Sequence, residues 1–76
     1  MISTLDDLKI NESGIVVKVD GEEGIRRRLL DIGLIDGLTV QRVLASPMGE
    51  ISAYWIKGAL IAIRYEDAKN ILVEVV

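Results

Sequence analysis

The sequence predicts a mainly β fold, a small antiparallel barrel of about five strands with one inserted short α-helix. The first observation behind it is composition: half of the 76 residues are hydrophobic, yet aromatics are only 4% and Phe is absent, so the core must be built from Ile, Val and Leu. Aliphatics rich in β-branching favour sheet. The second is the run Arg26 to Gly37, a single amphipathic helix with its stop and a following turn, set among short apolar runs. The third is the spacing of turn signals without any strand-helix-strand alternation, which points to an antiparallel barrel. Residues 1–76 form one domain, of a size that buries only about 60% of the surface its unfolded chain exposes.

Thr4-Leu5-Asp6-Asp7-Leu8 has a capping residue and a one-turn Leu5/Leu8 spacing, so it reads as a brief helical turn or an extended lead-in. Ile15-Val16-Val17-Lys18-Val19 follows Gly14 and is the first clear strand, with Ile15, Val17 and Val19 expected on one face. Gly21 breaks it. Glu22 and Glu23 then place negative charge at the positive end of a helix dipole. Ile25, Leu29 and Ile32 recur at i, i+4 and i+7 as one apolar stripe of a helix about three turns long, with Arg27, Arg28 and Asp31 off it. Gly33 stands where a left-handed residue would end the helix, and Leu34 where a Schellman closure folds back on the last turn.

Asp36-Gly37 is a tight-turn pair, and the strand pattern returns from Leu38 to Leu44, with a bulge or two-sided burial expected at Val43-Leu44. Ser46-Pro47-Met48-Gly49 matches type I turn preferences and joins this strand to Ile51–Lys57 as a hairpin. Gly58 precedes a further apolar run at Leu60–Arg64, Glu66–Lys69 reads as a one-turn helix, and Ile71–Val76 closes the chain as a strand.

The residues absent exclude much chemistry. Without Cys or His there is no disulfide, thiolate, imidazole base or zinc-type donor set, and only carboxylates remain to hold a metal. No spacing of acids resembles a calcium loop, so no metal or cofactor site is assigned. A net charge of −3 opposes general affinity for phosphate backbones, so nucleic acid is not expected as a partner. No apolar run approaches the ~20 residues that cross a bilayer, and the N-terminus has no secretory pattern, so a cytosolic, soluble chain without membrane insertion is expected. No group reads as a nucleophile or paired acid and base, and an enzyme is not expected.

What remains is surface. Arg27, Arg28 and Asp31 lie on the helix face away from the apolar stripe, where they suit either plain solvation or docking. Tyr54 and Trp55 are adjacent on a strand and point to opposite faces, Trp55 with Ile51 and Ala53, Tyr54 with Ser52 and Ile56. One belongs to the core and the other to the surface; Tyr54 is taken as the candidate partner contact.

Taken together, Leu5 and Leu8, Gly14-Ile15, Arg28-Leu29-Leu30-Asp31-Ile32-Gly33-Leu34, Gly37, Pro47-Met48-Gly49, Gly58 with Leu60-Ala62-Arg64, and Ala68-Ile71-Val73 resemble the FeoA family over nearly the whole chain. The resemblance implies an SH3-like barrel and a small cytosolic accessory protein of bacterial ferrous iron uptake, acting by contact with the cytosolic region of the membrane transporter FeoB. It also admits a protein-interaction domain of the metal-responsive repressor type, or a weak carboxylate binder of Fe²⁺. Two positions depart from the family pattern: Asp36 stands where Pro commonly precedes the turn Gly, and Glu50-Ile51 replaces Asp-Pro. Both lie at turns, where loop shape changes more readily than topology.

Overall fold

A computed structural model covers Met1–Val76. Six strands form one antiparallel sheet: β1 (Ile2–Thr4), β2 (Ser13–Val19), β3 (Thr39–Ala45), β4 (Ile51–Ile56), β5 (Ala59–Arg64) and β6 (Ile71–Val75). A 3₁₀ turn at Leu5–Asp7 follows β1, helix α1 (Glu23–Asp31) lies between β2 and β3, and the one-turn helix α2 (Tyr65–Ala68) follows β5. The strand order is β1-β6-β2-β3-β4-β5, so β1 and β5 are the sheet's two edges. The sheet rolls around one aliphatic core of Leu5, Leu8, Val16, Val19, Leu29, Leu34, Val40, Ile56, Ile63, Ala68, Ile71 and Val73, with Tyr54 as its one aromatic member. α2 packs on both β5 and the 3₁₀ turn, and so closes part of the seam between the edges.

Two bulges set which side chains face inward. In β2 the pairing with β6 passes from Val16↔Val73 to Lys18↔Leu72, leaving Val17 as an extra, exposed residue. The expected inward set of Ile15, Val17 and Val19 is therefore corrected to Val16 and Val19, because one inserted residue switches face in a period-two strand. In β3 the pairing with β4 passes from Arg42↔Tyr54 to Leu44↔Ala53, which makes Val43 the bulged residue, at the position where the sequence lost alternation. The sixth strand, β1, is three residues long and pairs with β6, and the N-terminal ammonium bonds to Glu74.

The helix stop is a full Schellman motif. Gly33 N–H donates to the Leu30 carbonyl at 3.0 Å and Leu34 N–H to the Leu29 carbonyl at 3.2 Å, with Gly33 at φ +100°. The helix is shorter than expected, ending at Asp31, so Ile32 is a half-exposed cap residue and Leu34 takes the buried position instead. Gly49 N–H donates to the Ser46 carbonyl at 2.9 Å, closing the expected turn between β3 and β4. Lys57 (φ 49°) and Gly58 (φ 79°) form a two-residue turn between β4 and β5, with positive φ at both positions as in type I′ hairpins.

Candidate docking face and groove

α1 carries the charged face. Glu23 sits in its first turn, where negative charge suits the dipole, and Arg27 Nη2 reaches back to Glu23 Oε1 at 3.4 Å, an i, i+4 pair. Arg28 does something different: its Nη2 donates to Asp67 Oδ1 on α2 at 2.6 Å. Arg28 borders the apolar stripe, so this contact crosses from one helix to the other. Asp31 lies one helical turn beyond Arg27 and Arg28 and makes no ion pair; Arg26 also stands unpaired. The fold thus gathers Arg27, Arg28 and Asp31 on one exposed face but ties Arg28 into the scaffold.

Tyr54 is not part of that face. It is 0% exposed, whereas its neighbour Trp55 is 48% exposed, so the expected assignment is reversed and the accessible aromatic is Trp55. The cause is a polar cluster built from residues distant in sequence. Arg42, opposite Tyr54 on the inward side, donates from Nη1 to the carbonyls of Leu8 at 2.6 Å and Asp6 at 2.9 Å, and from Nη2 and Nε to Ser52 Oγ at 2.8 and 3.2 Å. Tyr54 Oη donates to the Leu5 carbonyl at 3.4 Å. Together these side chains fasten the 3₁₀ turn over one end of the barrel. A phenol is accepted in the core when its hydroxyl finds a partner, and Ser52 on the same strand face was the available signal. Burial pushes the Tyr54 phenol above its ordinary value of 10.0, with Asp6 adding to the rise, while the Arg42 charge and the Ser52 hydroxyl oppose it.

Beside the charged face runs an open groove of about 660 Å³. Ile25 and Leu29 of α1 with the cap residue Ile32 form one wall, Ile61 and Ile63 of β5 the floor, and Arg28, Arg64, Glu66 and Asp67 the rim near α2. Lys57 does not line the groove but stands next to the residue after Ile32: a side chain built at Gly33 would lie 3.6 Å from Lys57 Nζ, so the ammonium rests against the C-terminal end of α1. No group of three or more acidic, His or Cys side chains converges anywhere in the fold. No helix is long and apolar enough to cross a membrane.

A rolled six-stranded antiparallel sheet with one inserted helix defines a small SH3-like barrel domain. The family model for the FeoA domain matches residues 3–75, and the chain belongs to that family, which is linked to ferrous iron transport. A curated relative, the Fe(2+) transport protein A/Fe(2+) transporter FeoB fusion protein of Porphyromonas gingivalis, is 31% identical over 72 residues; these are 95% of this chain but only 8% of that protein. The FeoA-like protein of Clostridium acetobutylicum superposes with a TM-score of 0.91 at 29% identity, covering 99% of this chain and 87% of that one. The FeoA of Stenotrophomonas maltophilia, a prokaryotic SH3 domain protein crystallised with zinc, superposes at 0.83 with 29% identity, over 95% of this chain and 89% of that one. A manganese-dependent transcriptional repressor shares the fold at a TM-score of 0.90 but only 16% identity, across 37% of its length.

Proposed function

We propose that this protein is a non-enzymatic, cytosolic accessory factor of bacterial ferrous iron uptake that acts by binding the cytosolic region of the transporter FeoB. The observation that carries this reading is the Porphyromonas gingivalis relative, in which the FeoA and FeoB portions are one polypeptide. Covalent linkage replaces a weak bimolecular encounter by a high effective concentration, so it suits partners that act together. Arg27 and Asp31, exposed on α1, are the proposed contact residues, with Arg28 holding the helix in place through Asp67. Trp55 takes the place of Tyr54 as the proposed aromatic contact.

The test is a binding measurement between the folded protein and the folded cytosolic region of FeoB. Micromolar binding that weakens when Arg27 is changed to Glu supports the reading. No interaction at high micromolar concentration of both proteins overturns it.

A further inference from the structure

The groove has a second property, which belongs to the backbone of β5. Antiparallel neighbours exchange hydrogen bonds only at alternate residues. The two-residue turn at Lys57-Gly58 makes Ile56 and Ala59 a bonded pair, and the Tyr65 N–H donating to the Glu50 carbonyl at 2.8 Å shows the same phase at the far end of the hairpin. Ala59, Ile61 and Ile63 therefore spend their N–H and C=O groups on β4. Those of Leu60 and Ala62 point away from it, along the sheet's open edge, and no turn or loop bond reaches them.

Exposed edges are usually blunted by brevity, bulges, Pro or inward charge. β1, the other edge, is three residues long. β5 has six residues, continuous register with β4, no Pro, and no charge before Arg64. The apolar wall of α1 stands beside this edge and leaves a channel rather than a flat face.

We propose that the β5 edge and the adjoining groove receive one extended segment of a partner protein as an added strand. The segment's chemistry follows from the lining and from the charge beside it: apolar residues at alternate positions to meet Ile25 and Ile32, and a carboxylate at the Gly33 end, where Lys57 stands without an acidic partner of its own. α1 walls the channel, so the occupant is a single strand rather than the β4-β5 hairpin of a second copy. Main-chain bonds to Leu60 and Ala62 supply affinity, and the α1 stripe selects side chains. The proposal does not depend on which protein supplies the segment, and it stands or falls separately from the FeoB contact.

The probe is the peptide acetyl-Glu-Val-Thr-Val-Thr-Val-Glu-amide added to the intact protein and followed by amide NMR and hydrogen exchange. Leu60 and Ala62 amides exchange freely in the protein alone and slow by about tenfold or more on addition of the peptide, as expected for newly bonded edge groups. N-methylating the peptide at its two Thr residues, whose N–H groups face Leu60 and Ala62, weakens binding about tenfold or more, the loss of roughly two hydrogen bonds. Ala62→Pro removes an outward N–H without touching the β4 ladder, so the variant folds and loses the peptide. Lys57→Gln weakens binding about threefold. Edge amides already protected in the protein alone, whether by a second copy or otherwise, overturn the proposal. So does an absence of shifts at Leu60 and Ala62 with millimolar peptide, or equal affinity for the N-methylated peptide.

Discussion

Arg28 and Asp67, 39 positions apart in sequence, are joined by a 2.6 Å contact that links the inserted helix α1 to the one-turn helix α2. Asp67 is only 15% exposed while Arg28 is 60% exposed. A partly exposed pair of this kind contributes about 0.5–1 kcal/mol after screening. Arg28→Ala and Asp67→Ala should each lower stability by about that amount, and the double variant by less than the sum, as urea unfolding in a double-mutant cycle will show. Arg27→Ala, which loses only an exposed i, i+4 pair, should change stability by no more than about 0.5 kcal/mol. A partner-binding loss in the Arg27 variant therefore reports docking, whereas one in the Arg28 variants also carries helix displacement.

Arg42 is expected to be far more sensitive. Its removal leaves the Asp6 and Leu8 carbonyls and Ser52 Oγ without their donor, and charged hydrogen bonds are worth about 1.5–3 kcal/mol each. Arg42→Ala should lower stability by about 3 kcal/mol, read by urea or thermal unfolding. Arg42→Lys should recover only part of this, because a single ammonium cannot span both carbonyls and the hydroxyl.

Tyr54 makes stability depend on alkaline pH. Its folded-state pKa is raised above the unfolded value near 10, with burial as the first cause. The unfolded chain therefore releases this proton before the folded one does, so the contribution is complete below about pH 10 and is lost as pH rises through the higher folded value. Tyr54→Phe should show a shallower loss of stability above pH 10, at a cost near neutrality of about 1 kcal/mol for the hydroxyl's contact with Leu5. Chemical denaturation at a series of pH values from 7 to 11 measures both.

Two glycines of the α1 region should respond with opposite sign. Gly33 has φ +100°, so Gly33→Ala strains the backbone by about 1–2 kcal/mol, although Lys57 leaves ordinary contact distance for the methyl group. Gly24 lies in the first turn of α1 with nothing within 4 Å of an added Cβ. Gly24→Ala should raise stability by about 0.5 kcal/mol. Thermal unfolding of the two variants distinguishes them.

Local chemistry makes much of this fold readable from the residues alone. Gly33-Leu34 announced the helix closure, Val43 broke alternation where the bulge lies, and Ser46 to Gly49 specified its turn. What escaped depends on distant partners. β1 offers a single large aliphatic within its span and exists because β6, some seventy positions later, supplies its ladder. The β2 bulge at Val17 carries no turn residue to announce it, and Lys18 beside it points strict alternation to Val17 and Val19 as the inner pair, whereas the extra residue turns Val16 inward instead. Arg42 reads as an outward charge until the carbonyls of the 3₁₀ turn are brought over it, and the same cluster explains why Tyr54 rather than Trp55 lies inside. On the candidate face, sequence separated Arg27 and Arg28 from the apolar stripe, but only the fold could set Arg28 against Asp67.

Trp55 is the chain's one tryptophan, and its strand position places it directly across from Leu60 on β5. Because the indole is half exposed there, while the core holds only aliphatics and a tyrosine, its fluorescence is a native optical gauge of that corner of the surface. Emission wavelength and quencher access will register whatever settles along the β4-β5 hairpin with no dye attached, and melting of the interior will reach the same signal only when the hairpin itself comes apart.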